Sequence, residues 1–266
     1  MSSIIFLRGL TTYQDDNFRF GFLNFGPAHK HLEPKFQAKG MPLIAPPGIG
    51  HGEIGQQVET AYLYLLGLSR ENKINGFVHL LGHSSGGVVA RGLAHKLSQN
   101  PITNITVKSV VSIASPHHGS QLALAMLSTK LSLWKKLFFL GGYNLEKRKH
   151  HFTQWLPERI TTFNANNPNV KNIAYGSITA GIKTWHLPLA LRLMHIGNRL
   201  PGLWTDGIVE LDSQAWGNVL GRYELDHGAL LGMRTILWPP RYRRDQKTFE
   251  NIVDKITLFM SEAELK

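Results

Sequence analysis

The chain has no cysteine among its 266 residues, which excludes disulfides, a thiolate nucleophile and any cysteine-based metal site. Its longest apolar runs fall far short of the ~20 residues that a membrane-spanning helix needs, so it does not read as an integral membrane protein. It lacks a Pro/Gly/Ser-rich linker and any low-complexity tract. The reading is therefore a single domain over 1–266 that carries insertions, a common use of this length by α/β chains. The N-terminus, Met1-Ser2-Ser3-Ile4-Ile5-Phe6-Leu7, has no basic n-region or small-residue cleavage site and runs straight into a strand-like segment. A cleaved secretion signal is not expected, and a cytoplasmic location is. Acidic residues are scarce, 18 against 29 basic, for a formal net charge of +11. The surplus is concentrated at Lys130, Lys135, Lys136, Lys147, Arg148 and Lys149, set against Glu146, and again at Arg241, Arg243 and Arg244. No nucleic-acid motif accompanies these clusters, so no nucleic-acid partner is expected. Two readings of the charge remain: a solvated basic surface, and peripheral contact with an anionic membrane surface. Hydrophobic content of 42% with 18% charged residues is enough for a full core without covalent staples.

What is present is organised around Gly82-His83-Ser84-Ser85-Gly86-Gly87, directly behind the apolar run Phe77-Val78-His79-Leu80-Leu81. This is a nucleophile elbow, Gly-x-Ser-x-Gly, which lifts a serine hydroxyl off the end of a buried strand. The serine backbone is strained there, so the residues two before and two after it must be small, as Gly82 and Gly86 are. The stretch from Val88 to Leu97 continues as a helix whose N-terminus favours negative charge at the nucleophile. Other expected strands lie at 3–8, 42–45, 107–114, 172–178 and 221–225. Expected helices lie at 53–70, where Ile54, Val58, Ala61, Leu65 and Leu68 recur at spacings of three and four, and at 246–261. The residues from 13 to 40 read as an aromatic-rich irregular region. Strands separated by helices imply a mostly parallel sheet with helices on both faces, and a site at the C-terminal strand ends.

A serine hydroxyl is a weak nucleophile at neutral pH and needs a histidine to take its proton and a carboxylate to orient that histidine. In the chain order serine, acid, histidine, His227 of Leu225-Asp226-His227-Gly228 follows a late strand, where the base belongs. His117 and His118 come too early, and His150, His151, His186 and His195 fall in insertions. Asp206, in Trp204-Thr205-Asp206-Gly207-Ile208-Val209, is the favoured acid because a glycine turn presents it; Asp226 adjoins the base itself, and Asp212 is the remaining rival. An oxyanion hole would take the main-chain N–H of Ser85 and that of Leu10. No metal and no cofactor is expected, because His186 and His195 lack ligand spacing.

These motifs together resemble the bacterial true lipases, the triacylglycerol lipases of the α/β-hydrolase fold. The resemblance rests on Ile5-Phe6-Leu7-Arg8-Gly9-Leu10, Gly52-Glu53 with Gln56-Gln57-Val58-Glu59, the elbow, and Ala114-Ser115-Pro116-His117-His118-Gly119-Ser120. It continues through Ile160-Thr161-Thr162-Phe163-Asn164, Asp206-Gly207-Ile208-Val209 and Asp226-His227. It implies a minimal α/β-hydrolase sheet, a Ser84-His227-Asp206 triad, and an acyl ester or lipid substrate. The chain departs from the family in carrying Arg8 where a histidine usually precedes the oxyanion glycine. It has Ala229 where many members place a calcium-binding aspartate, and the secretion signal usual in the family is not expected here.

Two insertions read as lid-like, at about 118–155 and 182–204. In the first, Leu124, Leu127, Leu131, Trp134 and Phe138 form an apolar helix face beside Lys135 and Lys136, which suits either an interfacial lid or simple packing on the core. The expected activity is a serine carboxylic ester hydrolase, a lipase or esterase, acting through an acyl-enzyme. Phospholipases, thioesterases and acyltransferases use the same triad. The reading from another class is a non-catalytic peripheral membrane-binding protein on a hydrolase scaffold.

Overall fold

A computed structural model of the protein describes residues 2–9, 17–20, 23–50, 52–127, 152–187, 192, 195, 204–233 and 239–266. Leu10, residues 128–151 of the first insertion and most of 188–203 of the second lie outside the described residues, as does the basic cluster at 130–149.

The chain opens with β1 (Ser3–Leu7), a hairpin of β2 (Asn17–Phe20) and β3 (Leu23–Pro27), a short α1 (Glu33–Gln37) and β4 (Leu43–Ile44). The hairpin and α1 correct the expectation of an irregular region between 13 and 40. Then follow α2 (Ile54–Arg70), β5 (Gly76–His83), α3 (Ser85–Gln99), β6 (Ile105–Ile113), α4 (Gln121–Leu127) and α5 (Pro157–Asn166). The last part holds β7 (Ala174–Ala180), β8 (Ile182–Lys183), β9 (Trp204–Thr205), β10 (Asn218–Tyr223) and α6 (Pro239–Glu264). Six strands form one sheet in the order β10-β7-β6-β5-β1-β4, and every pairing in it is parallel. Parallel strands require crossovers, and helices supply them on both faces.

Period-two alternation explains how one strand serves two cores. In β1, Ile4 and Phe6 join Phe36 of α1 and Phe249, Ile252, Val253 and Ile256 of α6. Ile5 and Leu7 turn the other way, against Val58, Ala61 and Leu65 of α2 and Val88, Val89 and Leu93 of α3. All four β1 side chains are buried, each contributing on the order of 1.5–3 kcal/mol of transfer free energy. Helix α2 starts where the Glu53 N–H donates to Gln56 Oε1 at 3.1 Å, satisfying an otherwise orphaned donor. Helix α6 begins earlier than its apolar periodicity indicates, because Pro239 and Pro240 suit a first helical turn that has no use for their missing N–H groups. Among the described residues no helix is long and apolar enough to cross a membrane. This architecture puts the turns after β1, β5 and β6 side by side at one sheet edge.

Candidate active site

Ser84 sits at the junction of β5 and α3 with φ 56° and ψ −133°. A non-glycine residue here carries strain of about 1–3 kcal/mol, which persists only where the surroundings impose it. They do: the Ser84 N–H donates to the Ile113 carbonyl at 2.9 Å and the Gly87 N–H to the Ser84 carbonyl at 3.1 Å. Close approach accounts for the two elbow glycines. A Cβ on Gly82 would lie 2.3 Å from Gly87 Cα, and one on Gly86 would lie 1.9 Å from the Leu7 carbonyl oxygen. The serine is thus held by the neighbouring strand and by the turn that follows β1. That turn reaches the hydroxyl, since a Cβ on Gly9 would stand 2.6 Å from Ser84 Cβ and 3.0 Å from its Oγ.

Asp206 and His227, 21 positions apart in sequence, meet in space: His227 Nδ1 lies 2.7 Å from Asp206 Oδ2. The Asp206 carboxylate is fully buried. Its Oδ1 accepts the N–H groups of Ile208 and Val209, each at 2.8 Å, and its Oδ2 also accepts from Gln214 Nε2 at 3.4 Å. Oδ2 has no proton to give, so Nδ1 of His227 carries one and Nε2 is left as the basic nitrogen. The His227 N–H donates to the Asp206 backbone carbonyl at 2.8 Å, a second link between the two residues. The two rival acids are placed elsewhere. Asp226 accepts the N–H groups of Gly228 and Ala229, both at 3.0 Å, and Asp212 is exposed.

The His227–Asp206 pair meets the elbow at His83, which occupies the variable position of the motif. Its ring lies 4.4 Å from that of His227, centroid to centroid, and its Nε2 donates to the His227 carbonyl at 3.2 Å. Ser85 opens α3, which places its N–H at the helix N-terminus next to Ser84, where backbone donors converge. Arg8, the departure from the lipase pattern, is buried and turns its Nε to the Ile49 carbonyl. It fastens the turn after β1 to the turn after β4, a structural task that leaves the main chain of that turn beside Ser84.

Three further polar groups brace this region through tertiary contacts that the sequence does not announce. Gln214, fully buried, accepts the Ala180 N–H at 2.7 Å and donates to the carbonyls of Ala180 at 2.8 Å and Val209 at 3.0 Å. It clips the acid turn to the end of β7. His195 donates from Nε2 to the Gly207 carbonyl at 2.8 Å, and burial lowers its pKa against the opposing pull of Asp206. Glu210 accepts the Leu122 N–H at 2.9 Å; burial pushes its carboxyl above the ordinary range, and the Asp206 charge adds to the rise. His117, from the Pro-His-x-Gly-Ser segment, is structural. Its Nε2 reaches Ser112 Oγ at 2.8 Å, and it packs beside Arg91, whose guanidinium lies 3.3 Å from the Trp216 ring centroid. Burial holds Arg91 down to about 10, still charged at neutral pH. Among the described residues no group of three or more His, Cys, Asp or Glu could hold a metal ion.

Solved structures share this arrangement of sheet and helices. A lipase of Staphylococcus hyicus superposes over 100% of this chain and 97% of its own, at 15% identity and TM-score 0.66. A metagenomic carboxyl esterase covers 98% of this chain and 75% of its own, at 15% identity and TM-score 0.66. A lipase of Bacillus licheniformis covers 94% and 91%, at 16% identity and TM-score 0.60. The chain has the α/β-hydrolase fold. At such identities the likeness carries the fold and leaves the chemistry to the residues. A family model for palmitoyl protein thioesterase matches residues 50–175, a stretch that includes Ser84 but neither Asp206 nor His227. No curated protein matches the chain.

Proposed function

We propose that the protein is a serine carboxylic ester hydrolase of the lipase and esterase type, cleaving acyl esters with a hydrophobic chain. The observation that carries this reading is the buried Asp206–His227 hydrogen bond of 2.7 Å, joined through His83 to the elbow whose serine backbone is strained at φ 56°. Ser84 attacks the ester carbonyl while His227 Nε2 takes its proton. Asp206 fixes the tautomer of His227 and stabilises the imidazolium. The developing oxyanion is met by the N–H of Ser85 and by one from the turn after Gly9, for which Leu10 is the candidate. His227 then passes the proton to the leaving alcohol, and water releases the acyl group by the reverse sequence.

The test is a series of p-nitrophenyl esters of rising acyl length, run with the wild type and with Ser84→Ala. Loss of at least about 10⁴-fold in kcat is expected for the variant, and an unchanged rate would end the proposal. A second reading, thioester hydrolysis, is favoured by the palmitoyl protein thioesterase match over the elbow region. The same acyl chains offered as thioesters separate the two, because the elbow and triad chemistry is common to both and only the preferred leaving group differs.

A further inference from the structure

We infer that His83 is a positioning residue for the base, fixing the main chain and the ring of His227 relative to Ser84; this rests on the reading of Ser84 and His227 just given. The side chain of His227 is held through Nδ1 by Asp206 and its main-chain N–H by the Asp206 carbonyl. Both of those bonds refer the base to the acid and neither refers it to the nucleophile. The missing reference is His83 Nε2, which lies 3.2 Å from the His227 carbonyl oxygen. A carbonyl only accepts, so Nε2 of His83 carries the proton and the tautomer is fixed.

The donor belongs to the residue immediately before Ser84, on the strand whose pairing with β6 runs unbroken from His79 against Ser109 to His83 against Ile113. Any shift of the His227 loop away from the elbow must therefore break this bond and separate rings 4.4 Å apart. His83 stays neutral: burial, with His227 close by, holds it well below the ordinary histidine range. A neutral ring can lie against His227 when the latter becomes an imidazolium during turnover, whereas a second cation there would oppose that charge. The position that the motif leaves variable thus measures the gap between nucleophile and base.

Two substitutions separate the donor from the ring. His83→Gln keeps an N–H donor at about the reach of Nε2 and removes the ring; His83→Phe keeps the ring and removes the donor. On a soluble p-nitrophenyl ester, His83→Phe is expected to lower kcat at least tenfold with KM within twofold, and His83→Gln to recover kcat to within about threefold of wild type. Wild-type kcat in His83→Phe would overturn the inference. Should His83→Phe fail to fold, His83→Asn, too short to reach the carbonyl, takes its place with the same expected loss. A readout independent of turnover is the Nδ1–H resonance of His227 in NMR spectra of the full chain. It is expected to be resolved in the wild type and in His83→Gln, and lost to exchange in His83→Phe. Its persistence in all three would sink the positioning role even if the enzyme is active. Its loss in His83→Phe alone would support that role even if no ester or thioester is turned over, in which case it is the proposed activity that fails.

Discussion

Replacing Asp206 by asparagine changes one atom and should remove nearly all activity, and the hydrogen bonds around the carboxylate say why. Oδ1 accepts two main-chain N–H groups at 2.8 Å, so the oxygen of the new amide must occupy that position; the reverse orientation would face donor against donor. The NH₂ group then falls at the Oδ2 position, 2.7 Å from His227 Nδ1 and 3.4 Å from the Gln214 amide nitrogen. Facing a donor, His227 must surrender the Nδ1 proton and carry it on Nε2, where it cannot accept one from Ser84. The same tautomer error in serine proteases costs about 10⁴-fold in kcat, equivalent to about 5.5 kcal/mol of transition-state stabilisation. The fold should suffer less, by about 1–3 kcal/mol, because one charged acceptor is lost and one amide donor is left facing Gln214. Two measurements separate these effects: kcat at saturating p-nitrophenyl ester, and the urea unfolding midpoint. A folded Asp206→Asn variant within tenfold of wild-type kcat would refute the assignment of Asp206 as the acid.

Gly86→Ala should destabilise the protein by at least about 3 kcal/mol in chemical denaturation, since the added methyl falls 1.9 Å from the Leu7 carbonyl and backbone cannot yield as a side chain would. Gly67→Ala, inside α2 with nothing within 4 Å of the added carbon, should instead stabilise by about 0.5–1 kcal/mol; equal effects of the two would contradict the close-approach argument. Stability should also fall in mild acid. His83 and His117 are both held neutral by burial, well below the ordinary histidine range, whereas in the unfolded chain they protonate near pH 6.5. The unfolded state therefore binds more protons below that pH, and unfolding free energy should drop by about 1.4 kcal/mol per pH unit for each histidine. A flat unfolding free energy between pH 6.5 and 5 would show that both protonate within the fold.

The elbow was legible because its chemistry is a backbone requirement, and Gly82 and Gly86 write that requirement into the local sequence. The meeting of Asp206 with His227 was legible by order and by turn context; each stands immediately before a glycine, and Asp206 stands ahead of the apolar pair Ile208-Val209. The hairpin over 17–27 was not, although Phe18 and Phe20 alternate as a strand should. It stands outside the main sheet as a two-stranded ribbon, and a run so short gives periodicity little to act on. Gln214, Glu210 and His195 were beyond reach for a different reason. Each acts through a partner distant in sequence or across a turn, and nothing about a lone glutamine or histidine announces which carbonyl it will meet. His83 lay in plain view inside the motif, where attention goes to the serine and the glycines.

The short pairing of β8 with β9, Ile182 against Thr205 and Lys183 against Trp204, has a consequence for how such a protein can change. The segment between Lys183 and Trp204 leaves and rejoins the fold at adjacent points, so its ends are joined whatever its length. Doubling a closed loop costs only about 0.6 kcal/mol of chain entropy. The Asp206 turn just beyond keeps one bond to that segment, from His195 to the Gly207 carbonyl, and is otherwise fastened by Gln214 to β7 and by its own N–H groups. Insertions and deletions in that segment that keep the His195 contact with the Gly207 carbonyl can therefore be tried by evolution, or by an engineer, without moving Asp206.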